Sequence, residues 1–203
     1  MKTTNKLLTL IIIFSSLFSL QSQNKFSKRK IENLKEEVSQ LVEDDKKMTQ
    51  VMIDKVFSFG ELGFQEFETS KYLGKILEEN GFDVEYQISD IPTSWLATWS
   101  NGEGGPTIAL GSDFDGVPST SQYPGVAYEK PVVEGAPGHG EGHNIGLPIV
   151  ITSAIAIKKI MIENNINGKL VLWPGVAEEI LGAKAWYVRD GYFDNVDMCI
   201  FTH

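Results

Sequence analysis

A single cysteine, Cys199, stands among 203 residues, so an intrachain disulfide and any cysteine-based zinc finger are excluded. Histidine is scarce as well, with three copies, and each is therefore worth following. Positive charge is also short. Eighteen Lys and Arg against 27 Asp and Glu give a net charge of −9. A chain this acidic has no general electrostatic hold on nucleic acid or an anionic membrane. Glycine and proline, at 19 and 8, are too few for collagen or a low-complexity linker. What is there, 42% hydrophobic and 22% charged, is a globular composition long enough to bury a core in one or two domains.

The apolar run Leu7–Leu20, interrupted only by Thr9, Ser15, Ser16 and Ser19, is shorter than the ~20 residues needed to span a bilayer. Lys2 and Lys6 precede it, which is the pattern of a secretory signal peptide over residues 1–23. No cysteine follows the run to carry a lipid anchor. Removal of this segment takes two lysines and no acid, leaving residues 24–203 at a net charge of −11. The expected location is secreted or periplasmic, with no stable membrane association after cleavage.

The remainder alternates helical and extended patterns without repeats. Ile31, Leu34, Val38, Leu41 and Val42 recur at helical spacing, and a second helix is expected over about Met48 to Phe59. Phe67, Leu73, Ile76 and Leu77 mark a third, stopped by Asn80-Gly81. Candidate strands follow at Phe82–Ile88, Trp95–Trp99 and Thr107–Gly111. Ile145–Ile157 predicts a buried core helix with Pro148 in its first turn. Leu170–Trp173 predicts a strand, Glu179–Asp190 a helix, and Val196–Phe201 a last strand. The fold class is α/β: a mostly parallel sheet flanked by helices on both faces.

The residues that carry chemistry follow the strands. Asp113-Phe-Asp115, Glu178-Glu179 and His203 fall at such positions, and Glu141-Gly-His143-Asn144 opens the long core helix. Open α/β sheets gather ligands outside the carboxyl ends of their strands, so these segments can converge. Carboxylates with imidazoles suit a hydrolytic zinc or manganese site. Singly, each has an ordinary reading: Asp-x-Asp as a turn, and paired glutamates as residues favoured at a helix start. The glycines between Gly138 and Gly146 resemble a phosphate cradle, but turn residues rather than a strand precede them and no Lys-Ser/Thr follows. The same glycines argue against His139 and His143 sharing one helix face. A serine hydrolase lacks its Gly-x-Ser-x-Gly elbow here.

Five segments in order resemble the aminoacylase/carboxypeptidase G superfamily of co-catalytic zinc peptidases, in particular its aminobenzoyl-glutamate utilisation protein B branch. They are Glu61-Leu-Gly-Phe-Gln-Glu66 with Thr69-Ser70, Asp113-Phe-Asp115-Gly-Val-Pro118, Gly135-Ala-Pro-Gly-His139-Gly-Glu-Gly-His143-Asn144, Ala177-Glu178-Glu179 with Gly182-Ala-Lys184, and Thr202-His203. The resemblance runs from about Met52 to His203. It implies two divalent ions, zinc or else manganese, held by Glu141, His143, Glu179 and His203. Glu178 would act as the general base, with Asp115 orienting a ligand. The substrate would be an N-acyl amino acid or an aminobenzoyl-glutamate-like amide. Glu141, a harder anionic ligand, stands where the family has cysteine. Family members continue past the terminal histidine into a dimerisation domain and return with another ligand. Residues 24–203 thus correspond to the N-terminal part of the catalytic domain, and the full-length form would be a homodimer. The 203-residue chain alone is expected to be inactive, with an apolar sheet edge uncovered. The alternative is an inactive fragment or binding module that keeps the fold.

Overall fold

The computed structural model describes residues 26–203; the proposed signal segment lies outside the described residues. The chain divides into two units, one ending at Glu36 within the first helix and the other running from Glu37 to His203. That helix, α1, covers Lys28–Asp44. Its first unit carries an exposed Glu32–Lys35 ion pair of 2.9 Å.

In the second unit, α2 (Lys46–Phe59) ends at Gly60, whose left-handed backbone (φ 53°) closes the helix. The next helix, α3 (Phe67–Glu79), is capped by Glu61, whose two carboxylate oxygens accept the N–H groups of Glu68 and Thr69 at 2.9 Å each. Five strands follow: β1 (Asp83–Tyr86), β2 (Trp95–Asn101), β3 (Thr107–Asp113), β4 (Gly168–Gly175) and β5 (Met198–Thr202). They form one sheet in the order β1-β2-β4-β3-β5. β4, β3 and β5 are parallel neighbours, whereas β2 runs antiparallel to both β1 and β4. Four strands therefore share a direction, and β2 is the exception. The links from β3 to β4 and from β4 to β5 are crossovers long enough to hold helices, which parallel pairing requires.

Helices cover both faces. The long helix α4 (His143–Glu163) lies on the face of Ser112, approaching so closely that a Cβ on Gly146 would sit 1.8 Å from Ser112 Oγ. Glycine at that position sets the distance between helix and sheet. Leu147, Ile151 and Ala154 are fully buried in the core, and Thr152 Oγ1 meets Thr49 Oγ1 of α2 at 2.7 Å. On the opposite face Trp173 packs edge-on against Tyr187 of α5 (Lys184–Arg189) and lies close to Phe201 of β5.

The structure corrects two local expectations. The core helix begins at His143, so Pro148 is its sixth residue rather than part of the first turn. Proline has no N–H, so the Asn144 carbonyl loses its helical donor. At 21 residues α4 also matches a membrane span in length and hydropathy, but half of the relevant stretch is buried within the protein, and it is a core helix. The helix expected over Glu179–Asp190 is instead a 3₁₀ turn at Glu178–Ile180 followed by α5. Ala177, Leu181 and Ala183 take positive φ (54°, 58°, 55°), which interrupts any continuous helix there.

Candidate metal centre

The order β4-β3-β5 places three strand ends side by side, and the start of α4 faces them. Beyond β3 comes Asp115, beyond β4 come Glu178 and Glu179, and after β5 comes His203. His143 opens α4 directly after Gly142, whose φ of 108° turns the loop into the helix. Sequence-distant groups thus meet within a few ångströms.

Asp115 is buried, and it organises two neighbours. His143 Nδ1 donates to it, with the Asp115 main-chain oxygen at 3.1 Å and Oδ1 at 3.2 Å. Its other oxygen, Oδ2, accepts the Glu179 N–H at 3.1 Å. With Nδ1 engaged, His143 Nε2 is left facing Glu141 Oε2 at 3.4 Å and Glu178 Oε2 at 4.0 Å. His203 Nε2 closes the opposite side, 3.4 Å from Glu141 Oε1 and 3.8 Å from Glu178 Oε2. The two imidazole rings are 5.3 Å apart. All six residues singled out from the sequence (Asp115, Glu141, His143, Glu178, Glu179 and His203) are brought together.

The electrostatics are those of crowded acids. Burial disfavours the charged form of His143, but the hydrogen bond and charge of Asp115, with Asp113 and Glu141, outweigh it and raise its pKa to about 9. Glu179 is pushed up to about 7, first by a hydrogen bond with Glu141, then by burial and the Glu141 charge. Like charges placed this close, with no cation between them, disfavour ionisation of Glu179.

Two atoms bear on the fit of a metal. His143 Nε2 and Glu179 Oε1 are buried, and neither has a hydrogen-bond partner. Buried polar atoms are seldom left in this way. One oxygen or nitrogen from each of Glu141, His143, Glu178 and Glu179 lies within 4.8 Å of the others. The same holds for Asp113, His143, Glu178 and His203. Asp113, however, is held by Lys184, whose Nζ is 2.9 Å and 3.1 Å from its two oxygens. Asp113 is thus already charge-paired, whereas the set without it holds both the unpartnered His143 Nε2 and the unpartnered Glu179 Oε1, and its imidazole and carboxylate donors fit zinc or manganese. A cavity of about 290 Å³ opens beside it, walled by Ser112, Ile145, Ile149 and Thr202 as well as Glu141, His143 and His203.

His139 does not join the cluster. Its Nε2 meets the Val56 carbonyl at 3.1 Å and its ring lies near Phe57. Burial lowers its pKa to about 4. A histidine neutral when folded and titrating near 6.5 when unfolded contributes stability above pH 6.5 that is lost as pH falls toward 4. Allowing for its partial exposure, the expected difference is about 2 kcal/mol. Urea unfolding at pH 7 and pH 4.5 should show that loss in the wild type and a correspondingly smaller loss in His139→Asn. Sequence reading assigned no role to Glu66 or Lys184. Both stand inside the five motifs, but their significance lies in contacts with distant residues.

Fold and donor set together describe a candidate divalent-metal centre at the carboxyl edge of an open α/β sheet. No family model matches the chain. Curated relatives do: it is 31% identical over 166 residues to a p-aminobenzoyl-glutamate hydrolase subunit of Escherichia coli, covering 82% of this chain and 34% of that protein. The M20-family dinuclear metal-binding peptidase of Bacillus subtilis superposes with a TM-score of 0.59 at 23% identity, over 78% of this chain and 44% of the other. An aminohydrolase-assigned protein from methicillin-resistant Staphylococcus aureus gives a TM-score of 0.70 at 21% identity, over 83% and 42%. In sequence the chain is similar to these amidohydrolases, and its fold is that of the solved aminohydrolase and metal-binding peptidase structures with which it superposes. It spans about a third of the length of the curated relatives it matches.

Proposed function

We propose that this chain carries the metal centre of a metal-dependent amidohydrolase that acts outside the cytoplasm on an N-acyl amino acid or an aminobenzoyl-glutamate-like amide. The observation that carries the reading is the unpartnered, buried Nε2 of His143, aimed at Glu141 and Glu178 with His203 across from it. Glu141, His143, Glu179 and His203 would hold two divalent ions, zinc or manganese. When bound, such ions polarise the amide carbonyl and acidify water. Asp115 keeps the His143 proton on Nδ1, so that Nε2 presents its lone pair. Through the Glu179 N–H it also fixes the second carboxylate. Glu178 is the base: its carboxylate takes the proton of the attacking water and delivers it to the departing amine. The cavity beside the cluster joins this polar end to Ile145 and Ile149, a surface suited to an apolar acyl or aryl group. In its complete form the enzyme is proposed to be a homodimer.

Calorimetric titration of the full-length protein with zinc and manganese, together with hydrolysis assays on N-acyl amino acids and aminobenzoyl-glutamate, tests this reading. The expected result is about two ions per chain, with hydrolysis lost on chelation and regained on adding metal. Hydrolysis undiminished after exhaustive chelation, or no divalent binding at all, would overturn it.

A further inference from the structure

A carboxylate outside the metal cluster is completely buried: Glu66, at 0% exposure. Burying an ionisable group is unfavourable unless its oxygens find donors. Glu66 stands at the start of α3, where an acid ordinarily caps the helix, yet it makes no capping bond there. Glu61 does the capping instead. Glu66 is thereby free to reach elsewhere. One oxygen accepts the Thr93 hydroxyl at 2.8 Å, and the other accepts the Ala177 N–H at 2.9 Å, across 111 residues of sequence.

Ala177 is the hinge between β4 and Glu178-Glu179. It is left-handed (φ 54°, ψ 44°), a conformation that alanine adopts only under external constraint. The constraint is visible. A Cβ on Gly63 would lie 2.9 Å from Ala177, a Cβ on Gly182 would be equally close to the Ala177 Cβ, and the Gly182 N–H returns to the Ala177 carbonyl at 2.8 Å. The turn is therefore tied at two N–H groups, Ala177 to Glu66 and Glu179 to Asp115. Between those ties sits Glu178.

We propose that Glu66 is a positioning residue: its buried carboxylate holds Ala177 in the left-handed turn that aims Glu178 and Glu179 at the metal centre. The functional consequence rests on the metal-site reading above, but the tether itself can be measured without metal. In the 203-residue chain, Glu66→Met removes the acceptor while keeping side-chain length. Amide hydrogen exchange at 177–182 should accelerate at least tenfold, while β4 amides such as Val171 and Leu172 stay protected. Cobalt(II) affinity should fall at least tenfold, with altered visible absorption. Glu66→Gln keeps an oxygen for the Ala177 N–H, so it should restore slow exchange and bind cobalt within about threefold of wild type. Unchanged exchange at 177–182 in Glu66→Met would overturn the proposal. If that variant does not fold, rapid exchange at 177–182 in Glu66→Gln would overturn it equally. A purely structural role would lower the melting temperature without singling out the turn or the cobalt spectrum. If the turn responds but the wild type binds no cobalt, the tether stands and the metal-site reading falls.

Discussion

Replacing His143 by alanine should weaken divalent-metal binding by more than about 100-fold, since loss of a partner that merely orients a ligand already costs 10–100-fold. His143 is the one buried imidazole in the cluster, and its position is set twice. Asp115 fixes the ring through Nδ1, and Gly142 turns the chain so that the helix begins there. The residue opens α4, one turn before the Leu147, Ile151 and Ala154 contacts that seat the helix, and those contacts remain in the variant, so it should fold. Titration calorimetry with zinc or manganese decides the matter. Affinity within tenfold of wild type would remove His143 from the ligand set.

In the full-length protein, Glu178→Gln should leave metal stoichiometry intact and reduce kcat by ~10²–10⁴, the usual worth of a positioned general base. Glu178 lies between the two imidazoles, 4.0 Å from one and 3.8 Å from the other, and its side chain remains 24% exposed. It is near enough to serve a reacting water and open enough to exchange its proton. Steady-state kinetics alongside metal analysis separates the outcomes. Unchanged kcat would assign the base elsewhere, whereas metal loss would make Glu178 a ligand.

The residues that cluster were legible because their chemistry is local to short motifs, and the alternation of strands and helices indicated which strand ends could meet. Asp113 and Asp115 illustrate a limit. Spacing alone does not separate them, but β3 directs Asp113 toward Lys184 while the chain beyond the strand carries Asp115 to His143. Residues 179–190 show another. Their composition is helical, yet a turn with positive φ at Ala177, Leu181 and Ala183 is imposed by packing against Gly63 and by the bond to Glu66, neither of which is near in sequence. Strand direction was hidden for a similar reason. Hydrophobic patterning marks β2 as a strand, but its antiparallel pairing depends on its neighbours.

Among the described residues, β5 borders β3 on one side only and leaves Met198, Cys199 and Ile200 exposed. Its attachments include the Asp197 N–H to the Thr107 carbonyl at one end and Ser112 Oγ to the Thr202 carbonyl at the other. A strand held along one margin is prone to local opening. Under the proposed ligand assignment, His203 would lead such a strand into the metal site, so each excursion of β5 would withdraw a donor. A cation gripping His203 would in turn oppose the opening. Metal occupancy and the integrity of this sheet margin would then be one equilibrium seen from two ends.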